Sequence, residues 1–407
     1  MYTQFYMFDR LGIIIGFSIV AVASLGLFVS RALPERYDAA LARVVACTDA
    51  KNATTCSRPA VQKLLNLESA AKIMDDVAVR LTPQQCHYVG HVVGQQLFKR
   101  NRDVENSISR CSRACNSSCV HGIIGQAFAE ELGLESADNS ENLDFQHLAS
   151  DEIQGVGQRL CMSTATCHGV GHVLFQVYGK FEPGLAMCKE IAAGQKNRVD
   201  CYHGVFMEYA DILSSREIRQ TPGVEYPTSE SLSSLCSRWP TLEEKISCFP
   251  YFPRMVIPTL QKGGSSLAEA TSRLREICKS YPRRDDRAAC IFGIGVSSWY
   301  SSLALESHNT TGVCQEFSEL LDQTACNLGQ VSAFTREREP RVVSYCAALP
   351  DDGLRASCFQ AVFYYLNRLD IPAQEAAELC KDDSVCIRES KNYKVVPLEQ
   401  ILKGFDS

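Results

Sequence analysis

The sequence lacks the short motifs that most often reveal an enzyme's chemistry. It has no Gly-rich phosphate-binding loop, no nucleophile elbow and no H-E-x-x-H zinc signature. The C-x-x-C-H motif that attaches haem is also missing, so haem is a less favoured cofactor than a metal ion. There is no long basic run, and the net charge is −6, which argues against a nucleic-acid partner. Alternating strand patterns are scarce, so helices are expected.

Cysteine, by contrast, is abundant. The chain has 20 cysteines, an even number that is typical of disulfides formed in an oxidising compartment. Most of those in the second half fall in pairs 12 or 13 residues apart, separated by a polar connection. The spacing predicts the bridges Cys188–Cys201, Cys236–Cys248, Cys278–Cys290, Cys314–Cys326, Cys346–Cys358 and Cys380–Cys386. Cys47–Cys56 and Cys161–Cys167 are two further candidates, whereas the sequence does not pair Cys86, Cys111, Cys115 and Cys119.

Sequence with helical periodicity flanks these cysteine pairs. In residues 358–369, for example, the segment CFQAVFYYLNRL places its apolar residues at helical spacing. Each pair then has one cysteine near the end of a helix and one near the start of the next. A disulfide between them would staple a helical hairpin at its loop and contribute about 3 kcal/mol. The pattern predicts an all-α fold of disulfide-stapled helical-hairpin repeats, similar to an α-solenoid.

The stretch from Leu11 to Val29 is uncharged and long enough to cross a bilayer as one helix. A cleaved signal peptide is the alternative, although apolar residues continue past the small residues at 21–23. We expect a single-pass membrane protein whose bulk lies on the periplasmic or extracellular side. The predicted division is a short tail at 1–10, the anchor at 11–29, histidine-containing modules at 30–215, cysteine-paired repeats at 216–392 and a closing helix at 393–407.

Six of the eight histidines lie in a motif that occurs twice. Each copy begins with C-H-x-x-G-H and continues, about thirty residues later, with C-x-H-G. The two parts recur 81 and 82 positions further along the chain. The later repeats keep the cysteines but have no paired histidines, so any chemistry is expected in the first two modules. The histidines are His87, His91 and His121 in the first copy, and His168, His172 and His203 in the second.

Two histidines four residues apart lie on one face of a helix and can chelate one metal ion. With the third histidine they offer three neutral imidazoles, which suit zinc, copper or iron. Two arrangements remain open: a three-histidine site in each module, or one dinuclear site built from all six. Glu208 is a candidate carboxylate ligand or general base, and Gln126 takes its place in the first module. His147 and His308 stand alone and are treated as ordinary polar residues.

The main hypothesis is a membrane-anchored, extracytoplasmic protein that binds a transition metal through the six histidines. The first alternative is a metal-free scaffold or accessory subunit of a membrane complex, with structural histidines and protein partners on the repeat surface. The second alternative is a metal-dependent hydrolase or oxidoreductase. That alternative requires an open pocket over the histidines that contains a further acid or base.

Overall fold

The computed structural model of this chain is helical wherever it describes the backbone. It describes residues 34–48, 50, 53–134, 148–214, 224–300, 310–336, 341–349, 352–368 and 371–391. In these ranges the regular elements are α-helices and two short 3₁₀ turns, and there is no strand. The predicted all-α class is confirmed.

The helices follow one another with short connections. In chain order they are α1 (34–47), α2 (Ala53–Leu67), α3 (Ala70–Ala78), α4 (Pro83–Asn101), α5 (Val104–Ile108), α6 (Ala114–Glu131), α7 (Ser150–Leu160), α8 (Thr164–Tyr178), α9 (Phe181–Ile191), α10 (Gly194–Ser214), α11 (Leu242–Cys248), α12 (Phe252–Lys262), α13 (Leu267–Ser280), α14 (Arg284–Tyr300), α15 (Thr310–Gln315), α16 (Leu320–Arg336), α17 (Arg341–Ala347), α18 (Asp352–Arg368), α19 (Ala373–Glu378) and α20 (Ser384–Ser390). The 3₁₀ turns are Leu232–Ser234 and Phe249–Tyr251.

Local sequence signals set where several helices begin and end. The Thr82 hydroxyl accepts a hydrogen bond from the Gln85 amide, and the Gln85 side chain accepts one from the Thr82 amide, which forms a capping box at the start of α4. Ser266 and Glu269 form the same box at the start of α13. Helix α8 ends at Gly179, whose φ of 61° is a conformation that favours glycine. These signals fix the ends of the histidine-bearing helices α4 and α8.

All 20 cysteines are joined in disulfides. The eight bridges that the spacing suggested are confirmed. The remaining four cysteines form Cys86–Cys115 and Cys111–Cys119. Cys86–Cys115 joins residues 29 positions apart, so it does not follow the short hairpin spacing of the other pairs. It fixes the start of α4 to the start of α6, and both helices carry histidines of the first module.

Six helices form the inner layer of the molecule: α4, α6, α8, α10, α12 and α14. Each packs against the next in chain order, and α14 in turn contacts α4. Helix α16 packs closely on α14; of the other helices, α2 and α3 pack on α4, α9 packs on α8 and α10, and α13 packs on α12 and α14. In a solenoid each repeat contacts only its neighbours. The contact between α14 and α4 therefore curls the array into a ring of inner helices.

Two hydrophobic cores support this arrangement. One continuous core runs from Ala40 to Cys326 and includes the fully buried rings of Phe128, Phe175 and Phe206. A second, smaller core runs from Val331 to Cys386. Burying a large apolar side chain contributes about 1.5–3 kcal/mol, so aromatic residues of this kind carry much of the packing energy of the ring.

The inner helices α4 and α6 cross at very close range. A Cβ atom built on Gly94 would lie 2.0 Å from the carbonyl oxygen of Cys119, and one on Gly122 would lie 2.1 Å from the carbonyl oxygen of His91. Real Cβ atoms do not approach oxygen so closely, so only glycine fits at either position. The crossing brings the backbones together and thereby places His91 and His121 on facing surfaces.

The same reciprocal crossing recurs in two later helix pairs. In α8 and α10, and again in α14 and α16, each of two glycines meets the carbonyl oxygen of a residue three positions before the partner glycine. The later contacts are Gly171 with Cys201, Gly204 with His168, Gly295 with Cys326, and Gly329 with Phe292. Each of these three crossings fixes which residues of one helix meet which residues of the other. The crossings therefore define the equivalent positions of successive repeats more strictly than the cysteines do.

The predicted membrane anchor at 11–29 lies outside the described residues, as do the predicted closing helix at 393–407, His147 and His308. Within the described ranges, no helix is both long enough and apolar enough to cross a bilayer.

Candidate metal centre

Five histidines meet inside the ring of inner helices. They come from three helices: His87 and His91 from α4, His121 from α6, and His168 and His172 from α8. Neighbouring imidazole centroids within this histidine cluster lie 4.6–6.0 Å apart. Imidazoles on α4 lie beside an imidazole on α8, although α4 and α8 are not neighbouring helices of the inner layer. Both modules therefore contribute to a single cluster.

Four members of the cluster could hold one metal ion. His87, His91, His121 and His172 each offer a ring nitrogen, and these nitrogens all lie within 4.8 Å of one another. The Nε2 atoms of His87 and His91 are 3.1 Å apart. Two imidazole nitrogens bound to one ion at ~2.0–2.1 Å are separated by about 3 Å at a right angle and about 3.3 Å at the tetrahedral angle. The observed separation fits shared ligation.

A backbone carbonyl fixes the orientation of the His87 ring. Its Nδ1 lies 3.1 Å from the carbonyl oxygen of Cys115, and because a carbonyl only accepts, Nδ1 carries the proton. The lone pair is then on Nε2, which faces His91. Cys115 is held in place by its disulfide to Cys86 and by a left-handed backbone turn. Metal-binding histidines commonly donate their second nitrogen to a carbonyl in this manner.

A carboxylate fixes the orientation of the His172 ring. Its Nδ1 lies 2.7 Å from Glu208 Oε2, and Gln176 Nε2 donates to Glu208 Oε1 at 2.9 Å. Both His172 and Glu208 are buried. The other nitrogen of His172, Nε2, has no hydrogen-bond partner among the described residues, and neither has Nδ1 of His121. Buried polar atoms are normally satisfied, so two such nitrogens on rings that converge with other imidazoles fit a ligand at the cluster.

Burial keeps two members of the cluster neutral. Removal from water, together with the repulsion that a protonated His87 would feel from a protonated His172 and from Arg254, lowers the pKa of His87 to about 3. Burial also lowers the pKa of His121 well below its usual range, and the surrounding histidines lower it further. Both imidazoles are therefore uncharged at neutral pH. The neutral form is the one that binds metals.

A second group of potential ligands adjoins the first at His172. It contains His172, Glu208 and Asp211, whose ligand atoms also lie within 4.8 Å of one another. Asp211 forms a buried ion pair with Arg254 of α12. The positive charge of Arg254 also acts on His87 of α4. Five inner helices, α4, α6, α8, α10 and α12, thus contribute charged or ligating groups to one region of the interior.

His203, the expected third histidine of the second module, lies in neither group. Its Nδ1 is 3.3 Å from the hydroxyl oxygen of Tyr251, with the two rings at 79°. His203 is left out of the cluster because each of these histidines faces the next inner helix along the chain. His121 on α6 stacks on His168 of α8, and His203 on α10 faces the segment that leads into α12. That segment presents Tyr251 rather than a histidine, so the cluster does not extend to His203.

The two histidine pairs are also offset by one helical turn. The motif aligns His87 with His168, and His91 with His172. The glycine crossings instead align Gly94 with Gly171, and so His91 with His168, 77 residues apart rather than 81. The difference of four residues is about one turn. His91 and His168 therefore occupy equivalent positions. The additional histidine of the first pair, His87, lies one turn nearer the start of its helix, whereas that of the second pair, His172, lies one turn nearer the end.

Sequence reasoning did not identify Asp211, Arg254, Gln176 or the Cys115 carbonyl. The spacing of Glu208 and Asp211 offered one signal, since residues three apart share a face of a helix. Nothing in the sequence pointed to Arg254, which lies on a different helix and reaches the site only because the array curls.

No model of a known protein family, no curated protein and no solved structure matches this chain.

Proposed function

We propose that this protein is an extracytoplasmic metalloprotein whose ring of inner helices binds a transition-metal ion. The proposed ligands are His87, His91, His121 and His172. The observation that carries the proposal is the convergence of their four ring nitrogens within 4.8 Å, in a buried cluster assembled from three helices. His168 stacks on His121 and holds that ring in position.

The ligand set favours metals that accept nitrogen donors. All cysteines are in disulfides, so no thiolate is available to the site. Neutral imidazoles suit zinc, copper and iron, and the affinity of such sites for divalent ions is greatest for copper. The preferred candidates are therefore Cu(II) and Zn(II), followed by Fe(II).

The disulfides also support the proposed location. Reducing compartments keep thiols reduced, whereas this chain joins every cysteine in a bridge. The periplasmic or extracellular side of a membrane provides the oxidising conditions that such a chain requires. A membrane anchor at 11–29 stays a prediction from the sequence.

The metal-free scaffold is the main competitor, because the His87 and His91 nitrogens are close enough for a direct hydrogen bond. A purely structural cluster, however, gains stability by pairing its buried polar atoms. The His172 Nε2 and His121 Nδ1 atoms make no hydrogen bond within the described chain. Ligation of a metal would satisfy nitrogens of this kind.

Metal analysis of the folded, fully oxidised protein tests the proposal. We expect about one copper or zinc ion per chain after loading and desalting, and loss of that ion in His121→Ala and His172→Ala. His203→Ala is the matched control, because His203 is an equally buried histidine outside both ligand groups. It should keep the metal. Circular dichroism verifies that each variant is folded, and wild-type protein that takes up no metal would refute the proposal.

A metal-dependent enzyme is the second candidate, and the exposure of His91 favours it. His91 is partly exposed, while the other four members of the cluster are buried. A small molecule from solvent could therefore approach the ion on that side. Azide should shift the visible spectrum of the Cu(II)-loaded protein if a coordination position is open. An unchanged spectrum at saturating azide would rule out an open position and with it this candidate.

A further inference from the structure

We infer that Glu208 is the positioning residue of the centre. Its carboxylate group orients a histidine ligand of one metal ion and does not itself bind a second ion. The inference deepens the proposed function and rests on it for the identity of the metal ligands. The role assigned to Glu208 is to fix the His172 ring with its proton on Nδ1, so that Nε2 points its lone pair at the other histidines.

The hydrogen bonds of Glu208 fit this role. A carboxylate only accepts, so the 2.7 Å contact with His172 requires the proton on Nδ1. The second carboxylate oxygen accepts from Gln176, on the same helix as His172 and one turn further along. Both oxygens are therefore occupied by groups of α8. Carboxylate–histidine pairs of this kind orient the ring of a metal ligand and make its other nitrogen more basic.

Asp211 is poorly placed to complete a second metal site. Its carboxylate is paired with Arg254, and both side chains are buried. A divalent ion at this position would lie beside a buried guanidinium, where like charges repel strongly. Taking Asp211 away from Arg254 would also leave a buried cation without its partner, which is costly. The ion pair thus disfavours a second cation in the group formed by His172, Glu208 and Asp211.

The repeat provides an independent observation. In the alignment set by the glycine crossings, His172 corresponds to Gln95 of the first module, and Glu208 corresponds to Gln126. In the third helix pair the corresponding residues are Val296 and Ala333. The imidazole and the carboxylate are therefore present together in one unit and absent together from the other two. Such a pattern is expected if the two residues work as a pair.

Nitrogen-15 NMR of the histidines in the metal-free, full-length protein tests the tautomer directly. We expect His172 to carry its proton on Nδ1 in the wild type and on Nε2 in Glu208→Ala, in which the acceptor is missing. Glu208→Gln keeps an acceptor oxygen and should retain the wild-type tautomer. Glu244→Gln is the matched control, because Glu244 is another buried carboxylate that instead caps α11. A wild-type His172 protonated on Nε2 would overturn the inference.

Metal titration of the same variants separates the two roles of Glu208. As a positioning residue, Glu208→Ala should weaken metal affinity about 10- to 100-fold at an unchanged stoichiometry of about one. Two ions in the wild type that fall to one in Glu208→Ala would show that Glu208 is a ligand, and would refute the inference. Absence of metal binding with the Nδ1 tautomer in place would refute the proposed function alone and leave the orienting role of Glu208 supported.

Discussion

The crossing of α4 and α6 allows a sharp test, because it depends on the absence of one methyl group. In Gly122→Ala, the new Cβ would lie 2.1 Å from the carbonyl oxygen of His91 and 2.8 Å from its carbonyl carbon. Ordinary contacts require more than 3 Å, so the two helices would have to separate by about 1 Å. The obstacle is backbone, which cannot rotate away as a side chain can. We expect Gly122→Ala to destabilise the protein.

The magnitude follows from comparison with Gly125 on the same helix. A Cβ at Gly125 meets only a methyl group of Val173, at 4.0 Å, so alanine fits there without strain. Both substitutions gain about 1 kcal/mol of helix propensity. Overpacking typically costs about 1–3 kcal/mol, and a backbone clash lies at the upper end. Gly125→Ala should therefore stabilise by up to about 1 kcal/mol, and Gly122→Ala should be about 3 kcal/mol less stable than Gly125→Ala.

Urea unfolding of the oxidised protein, followed by circular dichroism, measures this difference. The two variants differ only in which turn of α6 carries the added methyl group, so effects on the unfolded chain largely cancel. Since His121 precedes Gly122, the same variant should also bind metal more weakly. Equal stabilities for the two variants would refute the close crossing and, with it, the register that the crossings define.

Two further predictions concern charge. Burial lowers the pKa of His87 to about 3 from its ordinary 6.5, so between these pH values the unfolded chain binds more protons than the folded one. As the pH falls below 6.5, the metal-free protein should therefore lose about 1.4 kcal/mol of its free energy of unfolding per pH unit from this residue. Urea unfolding at several pH values measures the slope, and a stability that does not fall would contradict the neutral, buried ring. Lys245→Met should lower the free energy of unfolding by about 3–5 kcal/mol, because it leaves Asp286 buried without its cation. Arg273→Met removes a cation from an exposed pair with Glu276 and should change the free energy of unfolding by less than about 1 kcal/mol. Thermal unfolding compares the two variants, and similar losses would contradict the difference in burial.

The helical class and most of the disulfides were predictable because they depend on local spacing. A cysteine at each end of a short polar connection identifies a stapled hairpin without knowledge of the rest of the fold. Cys86–Cys115 and Cys111–Cys119 were not predictable, because their pairing depends on how α4 and α6 approach each other in space.

The site was predictable in part. The sequence identified five histidines that meet and Glu208, which contacts one of them. It did not show that His203 faces Tyr251, because that follows from the direction in which the repeats pack around the ring. The one-turn offset between the modules was hidden for a similar reason. An alignment by residue identity pairs the histidines of the two modules. An alignment by the glycine crossings, which fix the helices in space, pairs different residues.

X-ray absorption spectroscopy of the copper- or zinc-loaded protein identifies the atoms bound to the ion and so tests the histidine ligands themselves. We expect a shell of about four nitrogen neighbours at ~2.0–2.1 Å, with the outer-shell scattering of imidazole rings and no sulfur at ~2.3 Å. In His203→Ala the spectrum should be unchanged, and in His172→Ala it should lose imidazole scattering. A sulfur shell, or a shell of oxygen atoms without imidazole scattering, would contradict the proposed centre.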